Sequence, residues 1–402
     1  MNTLFSRLSI ESQVQRLVPL FVKDLDGHRA DIERSVKGSR FLVIGGAGSI
    51  GQAVVKQLFK LDPGTLHVVD LSENSLVELV RDLRSSLGYI SGDFRTFAVD
   101  AGAPEFAALV SAEGPYDYVV NLAALKHVRS ERDPYTLMRL TRVNVLDSVA
   151  AMECAARTGA RKYFGVSSDK AANPFSMMGA SKRIMELFLA SAPVGLTVST
   201  ARFANVAFSN GSLLDGFRYR LQKRQPLAAP YDVRRYFVTE SEAGRLCLLS
   251  IILGGPREIF FPKAPEELSL VSFADIAERF LEAHGLEPHH CTSEEEAREF
   301  LREGHHNKRW PLFTFASDTT GEKPIEEFFT NAEEVDWDRF AEIGVVHNLP
   351  GVSVEELDRF RHRINSLLAQ GTWSKTDLVE AYTQLLPQFA HYETGRSLEG
   401  RM

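Results

Sequence analysis

Ser168, Asp169 and Lys170 stand side by side directly after the apolar run Tyr163–Val166. Together they offer a hydroxyl, a carboxylate and an amine. A carboxylate donates a proton well when its pKa is raised, and a lysine accepts one when burial or a neighbouring cation lowers its pKa. Met178 and Lys182 follow four residues apart, which puts both on one face of a helix. Alone, Asp169 and Lys170 would read as a solvated ion pair in a turn. Their place at the end of a strand, downstream of a glycine-rich turn, makes them candidates for acid–base work.

That turn is Gly45-Gly46-Ala47-Gly48-Ser49-Ile50-Gly51, between the apolar run Phe41–Ile44 and a helical pattern. Glycines in this context let the backbone turn tightly and approach a pyrophosphate, while the following helix presents free N–H groups and the positive end of its dipole. Gly45, Gly48, Ser49, Ile50 and Gly51 are therefore expected to bind a dinucleotide. Asp70 closes the next strand about 20 residues after the last glycine, where a carboxylate accepts from the adenosine ribose hydroxyls and repels a 2′-phosphate; this favours NAD over NADP. The alternative for Asp70 is a strand-end residue capping the next helix. Asp100 and Ala101 follow the third strand, where Asp100 is either an adenine contact or a turn residue. Leu122, Ala123 and Ala124, at the end of the fourth strand, leave room for a cofactor to pass.

The elements needed to position these groups are legible. Runs at Phe41–Ile44, Leu66–Val69, Thr96–Val99, Tyr118–Leu122, Tyr163–Val166 and Leu196–Ala201 alternate with helical patterns at Gln52–Leu61, Ser75–Leu87, Pro104–Ala112, Tyr135–Arg157 and Ala180–Ala190. Strands alternating with helices predict an α/β fold, a Rossmann-type doubly wound parallel sheet. The alternation weakens after about residue 210, and a smaller α+β substrate-binding lobe is expected there. The predicted division is an N-terminal helical segment over 1–38, an NAD-binding domain over 39–210, and over 211–402 the lobe with a C-terminal helical extension, interleaved with the sheet. In the first segment Leu8, Val14, Leu17, Phe21 and Leu25 form an apolar helical stripe.

With 402 residues, 44% of them hydrophobic and 25% charged, the composition is that of a globular protein, not a disordered or low-complexity one. A net charge of −7 argues against nucleic acid as the main partner. Three widely spaced cysteines suggest a reducing compartment and provide no metal-ligand pair, so no metal is expected. No apolar run is long enough to span a membrane, and the first residues lack a signal-peptide pattern. These features predict a soluble, cytoplasmic protein.

The glycine spacing and the stretch from Ser168 to Arg183 resemble the extended short-chain dehydrogenase/reductases. Those enzymes normally carry Tyr-x-x-x-Lys, but here Met178 holds the tyrosine position, and methionine cannot act as a base. The replacement is shared with bacterial nucleotide-sugar 4,6-dehydratases acting on UDP-N-acetylglucosamine and related sugars. Asn121–Val128, Arg202–Asn205, Arg235-Tyr236-Phe237 and Gly321-Glu322-Lys323 resemble the same group. Larger members carry membrane helices, so the chain looks like the short soluble type. The ending Thr394–Met402 resembles soluble relatives from sialic-acid-like sugar pathways.

The resemblance implies a redox-neutral reaction with catalytic NAD: oxidation at sugar C4, loss of water across C5 and C6, and return of the hydride to C6. Carried over by position, Asp169 is the acid at C6 and Lys170 the base at C5. Ser168 hydrogen-bonds the C4 oxygen, and Lys182 holds the nicotinamide ribose. The acceptor of the C4 proton is open between Asp169, a water and a ribose hydroxyl relay. Lys126, His127, Asn205, Ser212, Arg235 and Glu322 are the expected substrate contacts, with Asn205 and Arg235 at the diphosphate and Glu322 at the nucleotide ribose. Thr319 and Thr320 stand where many relatives place an arginine, so GDP-linked sugars stay in view beside UDP-linked ones. The rivals are a 4-epimerase and a non-catalytic dinucleotide-binding protein. Homo-oligomerisation is expected, because helices such as Tyr135–Arg157 and Ala180–Ala190 commonly pair between subunits in this superfamily.

Overall fold

The computed structural model describes residues 19–263, 270–304, 308–317, 323, 325–348, 352–389 and 391. Glu322, Thr319, Thr320, the ending Thr394–Met402 and the apolar positions Leu8, Val14 and Leu17 lie outside the described residues.

Six parallel strands form the first part of a nine-stranded sheet: β1 (Arg40–Ile44), β2 (Thr65–Asp70), β3 (Asp93–Ala98), β4 (Tyr118–Asn121), β5 (Lys162–Val166) and β6 (Thr197–Ala201). Their spatial order is β3-β2-β1-β4-β5-β6, so the chain reverses direction across the sheet between β1 and β4. In doubly wound sheets ligands bind outside the strand ends at such a switch point. Central β1 is buried from Phe41 onward, as expected of a strand covered on both faces, whereas edge strand β3 is largely open. The register pairs Ile44 with Asn121, Asn121 with Gly165, and Val166 with Ala201. The turns that follow these strands therefore emerge along one edge.

Beyond β6 the chain builds two three-stranded sheets. One joins β7 (Asn205–Val206), β9 (Arg234–Val238) and β11 (Leu270–Ser272); the other joins β8 (Leu227–Pro230), β12 (Glu287–Cys291) and β13 (Arg309–Phe315). Leu214, Phe217, Phe237, Phe280 and Leu312 share their core. The chain also returns to the main sheet: β10 (Glu258–Pro262) adds parallel to β6, then β15 (Ile343–Asn348) and β14 (Glu334–Asp336) extend it antiparallel. Short stretches of residues 211–402 thus lie in the same sheet as β1.

The helix expected over Tyr135–Arg157 is not uniform. An α-helix over Pro134–Thr141 passes through a π-helical turn, Arg142–Asp147, into an α-helix over Ser148–Arg157. Such turns carry an extra residue and often occur at functional sites. Here Asn144, within the π turn, accepts from Leu125 N (2.9 Å) and donates to Leu125 O (2.9 Å) and Ser181 Oγ (3.0 Å). It clamps the loop after β4 to the helix Met177–Ala190. Two C-terminal helices, Val354–Gln370 and Lys375–Leu385, complete the fold. Their Leu357, Phe360, Ile364 and Tyr382 form one apolar cluster with Leu137, Leu140, Ile184 and Phe188. The chain itself therefore covers an apolar face of the helices expected to pair between subunits. No helix among the described residues is long and apolar enough to cross a membrane.

Candidate active site

Two cavities of about 420 and 450 Å³ meet at the glycine turn, which with Leu122 and Ala124 borders both through Gly45 and Gly48. Each glycine has its own steric reason. Gly45 has φ +73°, and a Cβ there would lie 2.5 Å from Ala123 N; a Cβ on Gly51 would lie 2.2 Å from Gly45 O. These two are required by the protein's own packing. On Gly48 a Cβ would meet nothing closer than Gly45 O at 3.5 Å. The protein leaves that position open, as a turn that must admit a pyrophosphate would. The helix Ser49–Lys60 begins directly after it.

Asp70 has a further task. Its carboxylate accepts from Ala47 N (3.0 Å) and Ser72 N (2.9 Å), which ties the glycine turn to the end of β2. It also lines the second cavity, and a carboxylate has lone pairs enough to accept further donors there. Asp100 accepts from Gly102 N at 2.9 Å and stands 3.6 Å from Arg142, whose other carboxylate neighbour is Asp147 at 3.5 Å. Asn121, buried at the end of β4, accepts from Ala123 N (3.1 Å) and donates to Tyr163 Oη (3.0 Å), fixing the small residues at the cofactor strand.

The acid–base cluster lines the first cavity. Ser168 Oγ donates to Asp169 Oδ1 at 2.8 Å, and Lys170 Nζ reaches Asp169 Oδ1 at 3.2 Å and Asn205 Oδ1 at 3.3 Å. Asp169 is buried, and the loop carrying it lies against the helix Met177–Ala190. That approach requires Gly179, since a Cβ there would sit 2.5 Å from Lys170 O. Met178 is on the first turn of this helix. Its backbone N–H donates to Glu131 Oε1 at 2.8 Å, which satisfies one of the helix's free N-terminal donors. Lys182 is fully buried; its Nζ donates to Val166 O at 3.0 Å, and burial pulls its pKa down to about 8. The same cause lowers Lys126, which donates to Ser209 Oγ at 3.1 Å, and His127.

Among the described residues, every predicted site residue lines one of the two cavities. Asp70, Asp100, Ala101 and Ala123 line the second, and the others line the first. Ser212 caps the helix Leu213–Gln222 by accepting from Asp215 N, and Asn210 N donates to Ser49 Oγ across the junction of the two lobes. Arg235 is buried; it donates to Lys323 O at 2.8 Å and borders the cavity.

Two carboxylates escaped the sequence reading. Glu326 lines the first cavity beside Lys170 and Arg235, and burial raises its pKa. Glu131 is buried behind Met178, and burial raises its pKa to about 7. No local pattern separates Glu326 from Glu327, or Glu131 from any acid in a polar turn. Outside the cavities, His289, Cys291 and Glu296 bring potential ligand atoms within 4.8 Å of one another, but the Arg309 guanidinium already contacts the His289 ring.

The chain is 33% identical over 259 residues to an uncharacterized membrane protein of Methanocaldococcus jannaschii, covering 63% of this chain and 73% of that protein. It is 30% identical to the capsular polysaccharide biosynthesis protein CapD of Staphylococcus aureus; the match covers 66% of this chain but only 46% of CapD. A UDP-N-acetylglucosamine 4,6-dehydratase (inverting) of Campylobacter jejuni is 26% identical, over 57% of this chain and 68% of that enzyme. A UDP-glucose 4-epimerase of Rickettsia prowazekii is equally 26% identical, over 56% and 66%. Among solved structures, Pen from Bacillus thuringiensis superposes with a TM-score of 0.63 at 22% identity, covering 84% of this chain and 98% of Pen. The Bordetella bronchiseptica enzyme WbmF in complex with NAD+ and UDP gives 0.52 at 20% identity, covering 62% and 78%. These superpositions agree with the Rossmann-type α/β fold. The family model described as polysaccharide biosynthesis protein matches residues 41–347, and the chain belongs to that family.

Proposed function

We propose that the protein is a nucleotide-sugar 4,6-dehydratase that uses NAD and converts UDP-N-acetylglucosamine to a UDP-linked 4-keto-6-deoxy sugar for a bacterial surface glycan or a sialic-acid-like sugar. The observation that carries this reading is the triad Ser168, Asp169 and Lys170 on the wall of a cavity that continues, past the glycine turn, into a second cavity of dinucleotide character. The open side of Gly48 and the carboxylate of Asp70 fit NAD. Gly45, Gly48, Gly51 and the start of the helix Ser49–Lys60 would hold its pyrophosphate, Asp70 its adenosine ribose, and Lys182 its nicotinamide ribose. When bound, NAD supplies a reversible acceptor for the hydride at sugar C4.

The residues of the chain supply the proton transfers. Ser168 donates a hydrogen bond to the C4 oxygen. Met178 has no ionisable group, so Asp169 takes the C4 hydroxyl proton and later delivers it to the C6 oxygen, which departs as water. Between these steps the C4 ketone acidifies C5, and Lys170 removes that proton. The same lysine can return a proton to C5 after water has left, so the protons balance. Arg235 and Asn205 bind the diphosphate, for which a guanidinium is well suited. The UDP of the WbmF complex and the UDP-sugar enzymes among the Campylobacter and Rickettsia relatives support a UDP-linked substrate.

A 4-epimerase also oxidises C4 but needs no acid and base for C6 and C5. Mass spectrometry of UDP-N-acetylglucosamine after incubation with the protein and NAD separates the readings. Loss of one water supports dehydration, and an epimer of unchanged mass supports the epimerase. Untouched UDP-N-acetylglucosamine alongside turnover of the GDP-linked sugar redirects the substrate, and no turnover of either supports a non-catalytic dinucleotide binder.

A further inference from the structure

Glu326 lies in the irregular segment that leads to β14, far in sequence from the triad, yet one of its oxygens faces two cations of the cavity. Oε1 is 3.7 Å from Lys170 Nζ and 3.9 Å from Arg235 Nη2, both longer than a hydrogen bond. The carboxylate is buried, so its charge is poorly screened there. Its place is held from behind. Arg202, fully buried, donates to Phe328 O at 2.9 Å, two residues along, and pairs with Glu333 at 2.8 Å. The charged groups facing Glu326 are Lys170 and Asp169 from the loop after β5, Arg235 from β9, and Lys323 from its own segment.

We propose that Glu326 is a positioning residue for Lys170: a carboxylate shared between the Lys170 amine and the Arg235 guanidinium, which stabilises the ammonium formed when Lys170 takes the C5 proton and links that step to the seating of the substrate diphosphate at Arg235. This rests on the assignment of Lys170 as the base of a dehydratase. Before substrate arrives, one oxygen is divided between two cations. A diphosphate at Arg235 supplies that guanidinium with other oxygens and leaves Glu326 to Lys170. The proton moves from C5 to the Lys170 nitrogen, and Glu326 gains and loses none.

The test compares wild type, Glu326→Gln, Glu326→Asp and Lys170→Ala, using kcat and KM for UDP-N-acetylglucosamine across pH, solvent deuterium incorporation at C5, and UDP binding by calorimetry. Glu326→Gln keeps the shape and removes the charge. A weaker base follows, so the kcat plateau falls about tenfold and its rising limb moves to lower pH by about one unit. UDP binds at least as tightly, because Arg235 loses a competing carboxylate. Glu326→Asp restores the limb toward its wild-type position. A lowered plateau with an unmoved limb overturns the proposal, as does weakened UDP binding with unchanged kcat, which would make Glu326 a nucleotide contact. Lys170→Ala that retains C5 exchange overturns the underlying reading and this proposal with it. Lys170→Ala without exchange, beside an unmoved Glu326→Gln limb, overturns the proposal alone.

Discussion

Two clusters of carboxylates and cations lie back to back at the ends of β5 and β6, and they are built to opposite standards. In the rear cluster Arg202 meets Glu186 at 2.6 and 2.8 Å and Glu333 at 2.8 Å, Arg183 adds a bond to Glu333 at 2.8 Å, and Ser167 Oγ donates to Glu186 at 2.6 Å. Both Arg202 contacts are two-pronged, and the side chains are shut away from solvent. In the front cluster Lys170 meets its three oxygen neighbours at 3.2, 3.3 and 3.7 Å beside an open cavity. Ser167 and Ser168 are consecutive, yet one hydroxyl serves the rear cluster and the other the front. A saturated network has one arrangement and holds the backbone still. A loosely paired one keeps donors and acceptors for substrate. The rear cluster positions the front one, since Arg202 anchors the segment that carries Glu326.

This contrast can be broken from either side. Lys170→Ala is expected to lower dehydration by about a thousandfold or more and to abolish C5 exchange with deuterated solvent, while NAD binding and the melting temperature stay near wild type. Retained exchange would sink its role as base. Arg202→Met attacks the rear cluster and leaves Glu186 and Glu333 as excess buried charge. A stability loss of about 3–5 kcal/mol is expected, read by urea denaturation; a loss no larger than that of a surface arginine would show the network to be dispensable.

Glu131 gives a smaller, pH-dependent effect. Burial raises its carboxyl from the ordinary 4.5 to about 7, so the folded state keeps this proton to higher pH than the unfolded chain does. The folded state is therefore favoured below the ordinary value and loses roughly 3 kcal/mol as pH rises through about 7. Glu131→Gln should flatten the fall in melting temperature between pH 5 and 8; an unchanged slope would place its titration elsewhere. The smallest effect is expected from Met178→Leu. This nearly volume-conserving swap should change kcat only a few-fold and stability by less than about 1.5 kcal/mol. A large loss of kcat would give the thioether a direct part in the chemistry.

Much of this architecture is legible locally. The six strands of the parallel sheet and their helices follow from short apolar runs alternating with helical periods, because the strands inside the sheet are buried on both faces. The glycine turn is legible because Gly45 and Gly51 answer to contacts within the same strand–turn–helix unit and its neighbouring strand. Ser168, Asp169 and Lys170 can be found because they are consecutive at a strand end. Glu326, Glu131 and Asn144 cannot be found this way. Each acts on a partner distant in sequence, and none differs locally from a solvated polar residue. The π turn at Arg142–Asp147 is equally hidden, since its apolar pattern is that of an ordinary helix. The two C-terminal helices are legible as helices, but not the face they cover.

The sequence by itself determined the βαβ order, the dinucleotide turn with its acidic strand end, and the side chains available for proton transfer, because all of these are encoded over a few neighbouring residues. Tertiary structure decided which charges are saturated and which stay available. Arg202 and Lys170 are both cations near strand ends, and only the folding of residues 325–333 against them makes one a strut and leaves the other at the cavity with Glu326. That distinction depends on burial and on the number of partners within hydrogen-bond reach, quantities that exist only once distant segments of the chain have met.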